Sequence, residues 1–422
     1  MKSLFVVFSL GSLALRAAAG DPPIASLTTP LPPSATDPEE KSDSKIRIKF
    51  SGQLDLEAYA LPRTPPGLLY TRDGALFNPR LSLFVDGQAG RPWYFFLQAR
   101  IDRGFDPSDE DAQFRLDEYA LRWTPWDDGR LNIQIGQFAT VTGNWNERHL
   151  SWDNPFINAP VPYENVTGIW DFWPVDKPET LIGWGHVPTP GHSSFGDGYY
   201  DKNERLPVVW GPSYATGVSV AGKLGKLEYA AEMKNAGLSS RPDSWDTRDV
   251  NFDHPTWSGR LGYRPNMAWN LGISASAGPY LRPEAGPYLP PGTDIGDYQQ
   301  YVLAHDISFQ WHHFQLWSEI YWSRFEVPNT GDADTLAWYV EAKYKFTPQF
   351  YGALRWNQQF FGDVTSGGKD VPWGRDLWRL DTALGYRFTP HTQLKLQYGL
   401  QHERYNEEEI EHLLAAQFTC KF

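Results

Sequence analysis

From Ile46 onward the chain alternates. Ile46, Ile48, Phe50, Leu54, Leu56 and Ala58 stand between Arg47, Lys49, Ser51, Gln53, Asp55 and Glu57. A period of two puts each set on one face of an extended strand, one dry and one wet. The pattern recurs to the C-terminus. Trp93, Phe95, Leu97 and Ile101 alternate with Gln98, Arg100 and Asp102, and Leu336 to Phe346 alternate with Thr335, Glu341, Lys343 and Lys345. Trp378 to Phe388 and Leu394 to Leu400 repeat it. The 3.6-residue period of an amphipathic helix is hard to find anywhere.

The connections alternate too. Short turns are expected at Asp86–Arg91, Thr124–Gly129, Gly222–Gly225, Pro265–Met267, Trp311–His313, Thr347–Gln349 and Thr389–His391. Between them come long polar loops near 61–76, 103–112, 139–212, 236–255, 282–297, 327–334, 362–375 and 404–411. This predicts an all-β fold, an antiparallel transmembrane barrel of about 16 strands (alternatively about 18), with short periplasmic turns and long external loops. Closure removes the edges that so much sheet would otherwise expose. A soluble sandwich would bury aliphatics, whereas this apolar face is rich in aromatics near strand ends, as at Trp93, Trp123, Trp257, Trp311, Tyr344 and Phe388. Such rings favour the two membrane interfaces.

Composition narrows the class. The 422 residues have a mean hydropathy of −0.50, which excludes a polytopic helical membrane protein, and 15% of them are aromatic. The formal charge of −13 argues against nucleic acid as a partner. One cysteine, Cys420, rules out an intramolecular disulfide framework. Lys2, the apolar run Leu4–Leu15 and Ala17-Ala18-Ala19 form a signal peptide over residues 1–19. Residues 20–44, rich in Pro, Ser, Thr and Asp, read as a disordered periplasmic tail. The barrel domain is expected over 45–422, in the outer membrane of a Gram-negative bacterium.

Two local features point to a family. Ile133-Gln134-Ile135-Gly136-Gln137-Phe138 ends a strand just before the longest loop, and the final strand carries Leu414, Ala416, Phe418, Cys420 and Phe422 on one face. Over nearly all of 45–422 the chain resembles bacterial outer-membrane porins, nearest to the phosphate-selective porins O and P. It departs at Ala139-Thr140-Val141-Thr142-Gly143, where that family has a basic residue and a Pro-Phe-Gly run. The resemblance implies that the long third loop folds into the lumen, with Asn144 to Asp171 against the wall. It also implies a homotrimer and recognition of Phe422 by the barrel-assembly machinery.

Parity places Arg47, Lys49, Arg80, Arg100 and Arg122 inside the barrel, with Arg260, Lys343, Arg355 and Arg379. Glu118 and other carboxylates join them, and Trp145, Arg148 and Trp152 come from the loop. These are the candidate pore-lining and constriction residues, since rings of fixed charge screen permeants. The expected activity is passive diffusion of small hydrophilic solutes, without catalysis, metal or cofactor. Lumen Arg and Lys would suit anions such as phosphate, and loop Trp and Tyr would suit sugars; the sequence leaves both open. Gly217-Val218-Ser219-Val220-Ala221 lacks the last glycine of a nucleophile elbow. Glu147, Arg148, His149 and Asp153 are the one conceivable catalytic cluster. The rivals are a secreted, aromatic-rich carbohydrate-binding β-protein and a barrel plugged by its own loop.

Overall fold

The computed structural model describes residues 46–60, 68–69, 74–103, 112–186, 205–245, 251–404 and 410–422. The expected signal peptide and tail lie outside them. The strands are β1 Ile46–Ala60, β2 Ala75–Ala89, β3 Trp93–Asp102, β4 Gln113–Trp123, β5 Asn132–Gln137 and β6 Thr216–Leu224. They continue with β7 Leu227–Lys234, β8 Thr256–Tyr263, β9 Trp269–Pro279, β10 Gln299–Trp311, β11 Phe314–Val327 and β12 Gly331–Lys345. The last are β13 Phe350–Phe361, β14 Asp363–Ser366, β15 Lys369–Pro372, β16 Leu377–Thr389, β17 Thr392–Glu403 and β18 Glu411–Lys421. All but β14 and β15 close into one antiparallel barrel of 16 strands, sealed by β1 against β18 in the register Leu56↔Phe418.

Side-chain parity sorts the two faces. Leu54, Leu56, Leu384, Leu396, Leu414 and Phe418 are exposed outward, while Asp55, Glu57, Asp381, Lys395, Gln417 and Thr419 are buried inward. An apolar belt of this extent, unfavourable against water at about 25 cal/mol per Å², is stable against lipid. Trp93 and Trp123 stack 6.2 Å apart, and Tyr386 and Phe388 pair at 5.0 Å, near the rim that carries the short turns. Cys420 shares the outer face with Phe418 and Phe422.

All seven expected turns are present. The loop expected at 327–334 contracts to Pro328-Asn329-Thr330, with Asn329 left-handed at φ 57°. Its polar residues extend β11 and β12 instead, and Arg324 donates to Asp334 at 2.7 and 2.9 Å on the outer face. The loop after β13 holds the hairpin β14–β15, turned by Gly367 and Gly368, both at positive φ. In β4 a bulge shifts the register, so that Gln98 pairs with Glu118 and Ala99 with Leu116.

Candidate functional site: the lumen and its inner loop

The segment between β5 and β6 enters the barrel and runs along its wall. Its backbone needs partners where it is buried against the wall. Carboxylates on the wall accept its N–H groups. Glu118 takes Ala139 N at 2.8 Å, and Glu232 takes Val141 N at 3.2 Å and the Thr140 hydroxyl at 2.6 Å. Glu319 takes Asn144 N at 2.5 Å, Trp145 N at 2.8 Å and the Tyr163 hydroxyl at 2.6 Å. Burial first, then the Glu319 charge, holds that Tyr163 hydroxyl firmly protonated. Between these anchors Gly143 adopts φ +75°, where a Cβ would collide with the hydroxyls of Tyr321 and Tyr163.

Cations on the wall meet the loop's acceptors. Lys395 donates to the carbonyls of Ser151, Asn154 and Phe156 at 2.8, 3.1 and 3.0 Å. Arg355 binds the Asn158 side chain at 2.7 Å, and Arg379 binds Glu164 at 2.5 Å. Arg148 reverses the sense, reaching from the loop to Glu341 at 2.5 Å and the Tyr339 hydroxyl at 3.0 Å. The loop is thereby fastened from β7 round to β1, where Ser151 donates to Asp55 at 2.8 Å.

The expected pore-lining residues therefore divide. Arg148, Arg355 and Arg379 are at most 5% exposed and clamp the loop. Trp145 is buried against Tyr163, ring centroids 4.6 Å apart, and Trp152 is buried between Arg387 and Lys421. Arg260 is held by Asp306 at 2.6 Å, Arg122 by Gln134 at 2.9 Å, and Lys343 lies over the Tyr351 ring at 4.2 Å. Glu118 receives the loop, while Arg47 and Lys49 are exposed at the turn rim. Arg80 and Arg100 border open space, Arg80 while also donating to the Ser151 hydroxyl of the loop at 2.8 Å. That space is a cavity of about 190 Å³ between the loop and the β1–β3 wall, bounded by Glu57, Arg80, Arg100, Asp102, His149 and Tyr163.

Arg115 and Asp117 escaped the sequence reading. Arg115 bonds Asp102 at 2.7 Å and Asp117 at 3.3 Å, beside Arg100. The signal was present: Phe114 and Leu116 keep one parity, Tyr119 and Leu121 the other, which marks the bulge. Glu147, Arg148, His149 and Asp153 are not brought into one constellation. His149 bonds Asn146 O and the Tyr214 hydroxyl, both at 2.6 Å, and burial pushes its imidazole down to about 4.

No family model matches the chain, and no curated protein is similar in sequence. Solved structures are. OmpF of Salmonella typhi superposes with a TM-score of 0.54 at 10% identity, over 90% of this chain and 98% of that one. The outer membrane protein OmpT of Vibrio cholerae gives 0.52 at 10% identity, over 91% and 99%. An anion-selective porin from Comamonas acidovorans gives 0.52 at 8% identity, over 90% and 100%. The chain thus has the 16-strand porin fold.

Proposed function

We propose that the protein is an outer-membrane porin, a passive diffusion channel for small hydrophilic solutes, with short turns in the periplasm. One observation carries the reading: a closed, externally apolar barrel holds an inner loop that leaves a charge-lined space along β1–β3. Selectivity would arise at the ion-paired wall of that space, where Arg80 holds Glu57, and Arg100 and Asp102 border the opening backed by Arg115 and Asp117. Four cations at the strand ends of the turn rim, Lys49, Lys343, Arg387 and Lys421, support a preference for anions, phosphate among them. The sugar reading loses support, since Trp145 and Trp152 are 5% and 8% exposed and offer little free ring to a pyranose.

Trimers fit the same reading, as one of the matched Vibrio cholerae OmpT structures is a trimer form. Phe422, exposed at the end of β18, would serve as the assembly signal. The test is the conductance and reversal potential of the purified protein in a planar bilayer under a salt gradient. A potential on the anion side is expected. Absence of conductance would overturn the open-channel reading and leave a plugged barrel, and a cation-side potential would overturn the anion preference.

A further inference from the structure

The turn-rim ends of β12, β16, β18 and β1 carry Lys343, Arg387, Lys421 and Lys49, and two of the four lie against Trp152. The Arg387 guanidinium is 4.8 Å from that ring's centroid and the Lys421 ammonium 4.7 Å. No described carboxylate lies within 4 Å of any of the four cations. Lys343 is only 6% exposed and has no hydrogen-bond acceptor among the described residues, only the Tyr351 ring. Asp153 is the acid set among them, feeling Lys421, Arg387, Lys343 and Lys395. Asp86 also stands opposite Lys49 in the β1–β2 register. Four cations against these two acids still leave an excess of positive charge in a partly dry mouth, which calls for a counter-charge.

We propose that the acidic stretch Asp37–Asp43 of this chain's own N-terminal segment docks in this mouth and shields it from passing anions. The stretch holds Asp37, Glu39, Glu40 and Asp43 against Lys41. It joins the barrel at Ile46, on the same rim. There β1 runs beside β2 alone until Gly52, which exchanges backbone hydrogen bonds with Phe422, and Gln53 pairs with Lys421. About seven residues of strand therefore set Lys421 roughly 23 Å above Ile46. An extended chain of about six to nine residues reaches roughly 20–30 Å. Glu40 to Asp37 can thus return level with Lys421 along the inner face, past Lys49. Opposite charge and matched reach select this segment over an unrelated partner.

The test is zero-length carbodiimide cross-linking of the protein extracted from outer membranes, with linked peptides read by mass spectrometry. Amide links from Glu39 or Glu40 to Lys421 or Lys49 are expected. They should fall roughly tenfold in 1 M salt, where charges screen within about 3 Å. Links confined to Lys41 and Lys45, or equally frequent to Lys226 in a turn across the rim, would overturn the proposal. Loss of the links to millimolar inorganic phosphate at constant ionic strength would also overturn it, by giving the site to a small free anion. Cross-linking reads docking whether or not the pore conducts, so failure of the channel reading would be seen separately. Where it conducts, the variant D37N/E39Q/E40Q/D43N should move the reversal potential further to the anion side. An unchanged potential would refute the shielding.

Discussion

Replacing Lys395 by methionine keeps the stem and removes the ammonium. Three loop carbonyls, of Ser151, Asn154 and Phe156, then lose their donor in a site where Lys395 is wholly buried. Each charge-assisted bond contributes roughly 1.5–3 kcal/mol net. Burying the ammonium costs several kcal/mol in return. Gln393 still reaches Ser151 O, weakly, at 3.5 Å. The balance is a loss of roughly 2–4 kcal/mol in docking of the loop, or a rise of roughly 30- to 1000-fold in its undocked population at about 1.4 kcal/mol per decade. Native-state amide exchange in detergent reads this directly. Residues 156–158 should lose protection by that factor, while Leu396 and Tyr398 on the same strand keep theirs. Heat-modifiable migration confirms that the barrel has closed. Loop protection within about threefold of the parent, well below one decade, would refute the idea that wall cations hold the loop.

Other outcomes follow from the same geometry. Glu319→Leu strands the N–H groups of Asn144 and Trp145 and the Tyr163 hydroxyl, so single-channel conductance should rise as the first part of the loop leaves the wall. Leu396→Arg, on the lipid face in mid-strand, should cost about 2–4 kcal/mol in urea unfolding from vesicles. His149 is buried neutral and its proton affinity is lowered by folding, so the unfolded loop binds more protons below the ordinary imidazole range. Docking should therefore weaken as pH falls from about 6.5 toward about 4, read as rising amide exchange in the loop, and His149→Gln should flatten that dependence. Cys420 should react with a lipid-soluble maleimide and resist a charged one in intact vesicles.

Strands and turns were legible because each residue's face is fixed by a local period of two. The misreadings have local causes as well. Asp332 and Asp334 read as loop by polarity, yet they extend a strand by pairing with Arg324. The bulge at Asp117-Glu118 was visible as a slipped phase but hides inside one strand. The roles of the lumen charges were not legible at all. Parity could place Arg80 and Arg355 inside alike. Only the path of the inner loop decides that Arg80 borders open space while Arg355 is sealed against Asn158.

That path also divides the lumen unequally. Around most of the circumference the inner loop is stitched to the wall, so a change there trades transport properties against integrity of the whole molecule. Along β1–β3, beyond the bonds that Ser151 makes to Asp55 and Arg80, the wall meets open space. A lineage, or an engineer, wishing to retune what passes has this quadrant to work with. Sequence variation tolerated by the channel should therefore be concentrated in a few strands near the N-terminus, while the C-terminal half, though equally rich in charge, stays under mechanical constraint.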